Sequence, residues 1–322
     1  MCDLIAELIA QIPAHQPAGT VAARSVRPGG TPLLPSSTEM STLMSKVWFV
    51  TGSSRGLGRA IVETALKAGD QVVATARKPA QLDGLVAQYG ARILALALDV
   101  TDNDQVQRAV QEGVKTFGRL DVVVNNAGYG DIASVEDVTP EDFRAQIDTN
   151  FHGVVQVTKA VLPVLREQGS GHVFQVSSVG GRIGSPGLAA YQSAKWAVGG
   201  FSTVLAQEVA PFGIKVTVLE PGGMRTDWAG SSMTIPPVSA PYQPTVGAFV
   251  DMIRGSDAVA AMAEQAADPA RIAEIVRDLA GHGDAPLRLL LGPDAVQYAQ
   301  ELADSDAAWR TVSESVAESA SG

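Results

Sequence analysis

Three side chains and one turn carry the chemistry this chain can do. Ser178, Tyr191 and Lys195 follow the glycine-rich run Thr51-Gly52-Ser53-Ser54-Arg55-Gly56-Leu57-Gly58. Tyr191 and Lys195 are four residues apart in Ala189 to Val209, a stretch of helical character, so both fall on one face. A phenol with its ordinary pKa of about 10 is a poor base at neutral pH. A cation held beside it favours the phenolate, and each tenfold gain in its acidity is worth about 1.4 kcal/mol. Lys195 is placed to supply that bias, helped by the positive nicotinamide of an oxidised cofactor. In the reducing direction Tyr191 gives its proton to a carbonyl oxygen as hydride reaches the carbon. Ser178, at the end of an apolar run, can hold that oxygen by hydrogen bond. Ser178 and Tyr191 are therefore the expected substrate contacts.

The glycine run can hold the dinucleotide. The apolar run Val47-Trp48-Phe49-Val50 precedes it, and the helical stretch Ala60 to Ala68, ended by Gly69, comes after it. Glycines let the backbone turn tightly against a pyrophosphate, and a helix N-terminus favours negative charge. Three residues separate the first two glycines, unlike Gly-x-Gly-x-x-Gly. The pattern alone is weak; a strand before it and a helix after it strengthen it. An acid ending the second strand would bind the adenine ribose hydroxyls and repel a 2′-phosphate. Here that strand ends Ala74-Thr75-Ala76-Arg77-Lys78, with no carboxylate. Arg55 and Arg77 converging on one phosphate favour NADP(H) over NAD(H). Asp99, after the third strand, either accepts from the adenine amino group or caps a helix beginning near Thr101 or Asp102. The sequence leaves both open.

The elements that must position these groups alternate. Short apolar runs occur at Val47–Val50, Gln71–Ala76, Arg92–Leu98, Leu120–Val124, His172–Val176, Ile214–Leu219 and Leu287–Leu291, with helical patterns such as Asp102 to Phe117 between them. This predicts an α/β, Rossmann-like fold: a doubly wound parallel seven-stranded sheet with helices on both faces. No second core is visible, so residues 46–322 are read as one domain with a C-terminal extension, behind a flexible leader over residues 1–45. Gln11 to Ser41 is rich in Pro, Gly, Ser and Thr, and Met40 or Met44 are alternative starts. After Thr226, an irregular segment over about 227–255 reads as a lid above a hydrophobic carbonyl or alcohol, with Trp228, Met233, Tyr242 and Phe249 to line it. Tyr129 is expected to point toward the same pocket.

Composition excludes several alternatives. The chain has 322 residues and a formal net charge of −10, which argues against nucleic acid or an anionic membrane as partner. The longest apolar runs are strand-sized, well short of the roughly 20 residues of a membrane span. Met1 to Ala10 carries Asp3 and Glu7 and no basic residue, unlike a secretory signal. Cys2 is the single cysteine, so the simplest location is a reducing compartment, the cytoplasm. The four histidines, His15, His152, His172 and His282, are scattered, and no metal site is expected. His152 is read as a helix packing residue.

Taken together, these motifs resemble those of the short-chain dehydrogenase/reductase family, in its compact single-domain branch, over about Lys46 to Gly292. The matching runs are the glycine turn, Asp99-Val100, Asn125-Asn126-Ala127-Gly128, Asn150, Ser177-Ser178, Tyr191-Gln192-Ser193-Ala194-Lys195, and Pro221-Gly222 with Thr226. The resemblance implies cofactor contacts from Gly52, Ser54, Arg55, Gly56, Leu57, Gly58, Arg77, Asp99, Val100, Asn126, Ala127, Gly128, Tyr191, Lys195, Pro221, Gly222 and Thr226. Asn126-Ala127-Gly128 would lie on the adenosine side, and the last three residues by the nicotinamide carboxamide. Lys195 would also bind the nicotinamide ribose. Asn150 would be a fourth catalytic residue, whose backbone carbonyl holds a water linking Lys195 to solvent. It also implies a homo-oligomer, dimer or tetramer, packed through long helices at about Pro140–Arg166 and Ala189–Val209. The expected function is an NADP-dependent oxidoreductase interconverting a ketone or aldehyde and its alcohol. An NAD-dependent dehydrogenase and a non-catalytic redox sensor are the alternatives.

Overall fold

The structure is a computed structural model that describes residues 45–226, 233–255 and 266–308. Most of the expected leader, with Met40 and Met44, lies outside the described residues, as does Trp228.

Seven strands form one sheet: β1 Val47–Val50, β2 Gln71–Ala76, β3 Ile93–Ala97, β4 Val122–Asn125, β5 Gly171–Val176, β6 Ile214–Pro221 and β7 Arg288–Leu291. Their order is β3-β2-β1-β4-β5-β6-β7, and every pairing is parallel. The order reverses between β1 and β4, which opens a crevice at their carboxyl ends.

Parallel strands need helical crossovers, and these cover both faces. The helices are α1 Gly56–Lys67, α2 Asp83–Tyr89, α3 Asn103–Phe117, α4 Pro140–Ile147, α5 Gly153–Gln168, α6 Ala189–Val209, α7 Ala248–Arg254, α8 Pro269–Gly281 and α9 Pro293–Ala308. Alternation along β1 shows why the sheet takes two layers. Trp48 and Val50 pack with Leu57, Ile61 and Ala65 of α1 and Ile272 and Val276 of α8. Val47 and Phe49 pack on the other face with Val106 and Val110 of α3, Val157 and Val161 of α5, and Leu205 of α6. Burying a side chain of this size contributes roughly 1.5–3 kcal/mol.

A third, smaller cluster lies apart from these two layers. Ile132, Leu188, Tyr191, Met233 and Val246 are buried together, with Tyr242, Phe249 and Ile253 packed against them. Among the described residues no helix is long and apolar enough to cross a membrane.

The expected long helix over about Pro140–Arg166 is interrupted. A π-helical turn at Asp148–His152 separates α4 from α5, and Asn150 sits inside it, fully buried. Such one-turn insertions recur at functional positions. His152 is exposed rather than packed into a helix interface.

Candidate active site

The site assembles where β1, β4, β5 and β6 end. Gly52 and Gly56 take positive φ, +69° and +55°, a region that side chains with a Cβ rarely adopt. A Cβ on Gly58 would come 2.4 Å from Asn126 Nδ2 and from the Gly52 carbonyl oxygen, so only glycine lets α1 start this close to β4. Gly56 lies opposite Thr226, whose methyl would be 3.5 Å from a Cβ placed there. The turn and the loop after β6 therefore face each other.

This turn fits a dinucleotide phosphate. Arg55 at the N-cap of α1 makes no side-chain cap, and the first helical turn carries no acid. Its backbone N–H groups thus lack both a capping oxygen and a competing carboxylate, which suits an anion. Arg55 and Arg77 are exposed, and neither has an ion-pair partner among the described residues. Ser54 is partly exposed on the turn, whereas the Leu57 side chain is buried in the core, which leaves its backbone for a ligand.

The Asn-Asn-Ala-Gly run braces the turn from below. Asn126 Nδ2 donates to the carbonyls of Thr51 at 2.9 Å and Gly52 at 3.1 Å. The N–H groups of Asn126 and Ala127 donate to Thr51 Oγ1 at 2.9 and 3.0 Å. Asn125 points into the core, where its amide donates to Thr158 Oγ1 and Gln175 Oε1. Thr51 and Asn125 carry structural weight that spacing alone does not reveal.

Asp99 is not the helix cap. Its Oδ1 accepts from the N–H and hydroxyl of Thr101, at 3.0 and 2.7 Å. Asp102 caps α3 instead, accepting from the N–H groups of Asp104 and Gln105. Those bonds hold the Asp102 carboxyl below the usual carboxylate range. Val100 is buried against Gly153, where a Cβ would come 2.6 Å from its Cγ2.

Ser178, Tyr191 and Lys195 come together from the end of β5 and from α6. Tyr191 and Lys195 lie on the buried face of α6, 9 % and 4 % exposed. Ser178 follows β5, and its hydroxyl is hydrogen-bonded to Tyr191. Ser178 Oγ also accepts from the Gly180 N–H at 3.0 Å and donates weakly to the Pro221 carbonyl at 3.5 Å, tying it to the loop after β6. Lys195 Nζ donates to the Val176 carbonyl at 2.8 Å and lies 5.5 Å from the Tyr191 ring centroid. A Cβ on Gly128 would come 2.5 Å from Asn150 Oδ1 and 3.5 Å from Lys195 Nζ, so Gly128 keeps space where the two approach. Asn150 itself is held by its side chain: Oδ1 accepts from the Tyr129 N–H, and Nδ2 donates to the Tyr129 and Gln146 carbonyls.

Electrostatics here departs from the sequence expectation. Burial pushes the Tyr191 phenol up to about 12, only partly offset by the Ser178 hydrogen bond. Burial likewise pushes Lys195 down to about 8. In dry surroundings both charged forms are disfavoured, so the ammonium alone does not bring the phenol toward neutrality. Tyr129, partly buried, has its phenol raised by burial first and by the nearby Asp131 second.

Of the residues expected to line a lid, Met233 is buried, and Tyr242 and Phe249 pack on the same apolar cluster as Tyr191. The Tyr242 hydroxyl donates to Glu136 Oε2 at 2.7 Å, which anchors that ring to the rim. A cleft of about 590 Å³ lies elsewhere, lined by Thr101, Asp148, His152 and Lys159 among others; it shares no residue with the Tyr191 set.

A doubly wound sheet, a glycine turn at its switch point and a Ser/Tyr/Lys set beside it define a dinucleotide-dependent oxidoreductase fold. The family model of the short chain dehydrogenases matches residues 46–234, and the chain belongs to the short-chain dehydrogenase/reductase family. "Oxidoreductase BOA17" of Botryotinia fuckeliana (strain B05.10) is 62 % identical over 275 residues, 84 % of this chain and 98 % of that protein. The crystal structure of a short-chain dehydrogenase from Streptomyces avermitilis is 39 % identical, with a TM-score of 0.77 over 84 % of this chain and 98 % of that one. Similar solved structures hold either dinucleotide. A Burkholderia cenocepacia J2315 short chain dehydrogenase (25 % identical, TM-score 0.64, covering 83 % of this chain and 97 % of that one) is complexed with NADP. A Brucella melitensis 3-ketoacyl-(acyl-carrier-protein) reductase (27 % identical, TM-score 0.64, covering 78 % and 98 %) is complexed with NADH.

Proposed function

We propose that this oxidoreductase uses NADP(H) in preference to NAD(H), and interconverts a ketone or aldehyde and the corresponding alcohol. The observation that carries the reading is that the buried Tyr191 phenol is hydrogen-bonded to Ser178 and lies under Lys195 Nζ, which is 5.5 Å from the ring centroid. When bound, the dinucleotide supplies the hydride. Tyr191 gives the proton to the carbonyl oxygen, and Ser178 holds that oxygen. Lys195, above the ring, steadies charge on the phenol and binds the nicotinamide ribose. The Asn150 backbone carbonyl, in its π turn, holds a water that returns a proton to Lys195.

Arg55 and Arg77, exposed and without ion-pair partners among the described residues, take the 2′-phosphate. The turn holds the pyrophosphate, Asp99 and Val100 with Asn126 to Gly128 face the adenosine side, and Pro221, Gly222 and Thr226 place the carboxamide. The apolar side chains packed around Tyr191 support a hydrophobic substrate. Residues 46–322 form the single catalytic domain, with a lid over about 227–255 and a C-terminal extension, behind a leader over 1–45; the site of action is the cytoplasm. The chain pairs with copies of itself through the stretch at about Pro140–Arg166, which spans α4 and α5, and through α6. Trp196 and Val204, two turns apart on α6, are 52 % and 56 % exposed and would be covered by such a contact.

The test is a ketone and aldehyde panel with the wild type and Tyr191→Phe. The variant is expected to bind NADPH as the wild type does, while turnover falls at least about 100-fold. Equal turnover by both would refute the assignment.

A further inference from the structure

The start of α9 presses on the loop that follows β6. A Cβ on Gly222 would come 2.2 Å from either carboxylate oxygen of Asp294, and one on Gly292 would come 2.7 Å from Oδ1. The Gly223 N–H donates to Asp294 Oδ2 at 2.7 Å. Asp294 Oδ1 is buried with no hydrogen-bond partner among the described residues. A buried carboxylate oxygen without a donor costs free energy, so its retention calls for a reason.

The surrounding bonds say what the carboxylate holds. The Gly222 N–H donates to the Leu291 carbonyl at 3.0 Å, and the Gly223 carbonyl accepts from the Ala267 N–H at 2.9 Å. Just before the loop, Glu220 is buried and clamped by Arg182 at 2.7 Å and by Arg288 at 2.8 Å. The strand beneath the loop is thus cross-linked to β7 and to the segment after Ser178. Gly222 and Gly223 have no side chains of their own to fix them, and the Asp294 carboxylate fills the space where a Cβ would stand.

We propose that Asp294 is a positioning residue for the nicotinamide end of the cofactor. Through Gly223 it fixes the backbone of the Pro221–Thr226 loop, and so couples the C-terminal helix to the reacting end of the site. The inference rests on the cofactor reading above. A charge-assisted N–H bond is short and directional, and a displacement of about 1 Å at a positioning contact can cost up to about 100-fold in rate. Asp294 itself touches neither substrate nor cofactor in this account.

The experiment measures binding of two ligands to the full chain by calorimetry. One is NADPH, or NADH if that is what the wild type takes; the other is the same molecule lacking its nicotinamide. For Asp294→Ala the dissociation constant of the whole dinucleotide is expected to rise about tenfold and that of the truncated ligand to change less than about twofold. Asp294→Asn keeps an oxygen that can accept from Gly223 and is expected to restore most of the affinity. If Asp294→Ala does not fold, Gly292→Ala, whose Cβ would come 2.7 Å from Asp294 Oδ1 and displace the carboxylate from outside the cofactor contacts, is expected to give the same nicotinamide-specific loss. Parallel weakening of both ligands, or no change in either, overturns the inference. A wild type that takes neither dinucleotide overturns the cofactor reading, and this inference with it.

Discussion

Replacing Lys195 with Met tests how dry the site is. In the folded chain burial moves the Lys195 ammonium from 10.5 to about 8. That difference corresponds to about 3 kcal/mol of destabilisation, present in full below pH 8. Between pH 8 and 10.5 the unfolded chain still binds the proton and the folded chain has released it. Stability therefore rises with pH across this window, and integrating from pH 7 to pH 10 gives a gain of about 2.5 kcal/mol. Tyr191 works the other way, because its folded value of about 12 lies above 10.0. Its contribution changes only as pH climbs past 10, and it is common to wild type and variant. Methionine cannot titrate, and the Val176 carbonyl it leaves without a donor costs the same at every pH. The assay is urea unfolding of wild type and Lys195→Met at pH 7, 8, 9 and 10. The gap in unfolding free energy, wild type minus variant, is expected to widen in favour of the wild type by about 2–3 kcal/mol over that range. A gap that stays flat would mean that Lys195 is hydrated in the folded chain, and the burial argument would fall.

Three further outcomes are expected from other parts of the molecule. Arg55→Ala and Arg77→Ala are each expected to weaken NADPH binding about tenfold while leaving NADH within about twofold; a wild type that binds both equally refutes the 2′-phosphate reading. Trp196→Glu is expected to shift the protein in analytical ultracentrifugation from a dimer or tetramer to the 33.4 kDa monomer; an unchanged sedimentation profile, or a wild type that is already monomeric, rejects α6 as the contact. His172 is pushed down to about 3 by burial first and by Lys215 second, so it is neutral when folded. The folded chain resists a proton that the unfolded chain takes below 6.5, and stability is lost as pH falls. Over pH 6.5 to 4.5 the wild type should lose about 2 kcal/mol more than His172→Gln, by chemical unfolding at each pH; equal losses would show that the imidazole is hydrated.

Much of the frame was legible because burial on both faces writes continuous apolar runs. All seven strands fall within two residues of the runs read from the sequence, and α6 spans the expected Ala189–Val209. The π turn at Asp148–His152 left no such mark. Periodicity carries through Pro140 to Arg166, and one inserted residue rotates the rest of a helix onto a new face without changing its composition. Asp99 and Asp102 show the same limit at a cap: both are acids just before a helix, and only φ and ψ tell which one receives the N–H groups. Asp294 was beyond reach because its partner, Gly223, is 71 residues away and its signal is a glycine having no side chain. Glu220 was hidden likewise, since a carboxylate inside an apolar strand announces itself only once Arg182 and Arg288 are seen to converge on it.

The burial that makes Tyr191 a poor base also suits it to one direction of the proposed reaction. With the phenol at about 12, Tyr191 keeps its proton across the neutral range. A carbonyl reduction needs that proton in place, close to an oxygen that Ser178 can hold. Ionising such a phenol at pH 7 costs about 7 kcal/mol, so alcohol oxidation must draw on positive charge brought to the site. Lys195 can give only part of it, because its own ammonium is weakened by the same dry walls and already donates to the Val176 carbonyl. On the proposed reading the positive nicotinamide of an oxidised dinucleotide would supply the remainder, and the loop at Pro221–Thr226 would then matter electrostatically as well as sterically. Were that loop displaced outward, the nicotinamide charge it is proposed to place would move away from the phenol, and oxidation would suffer more than reduction.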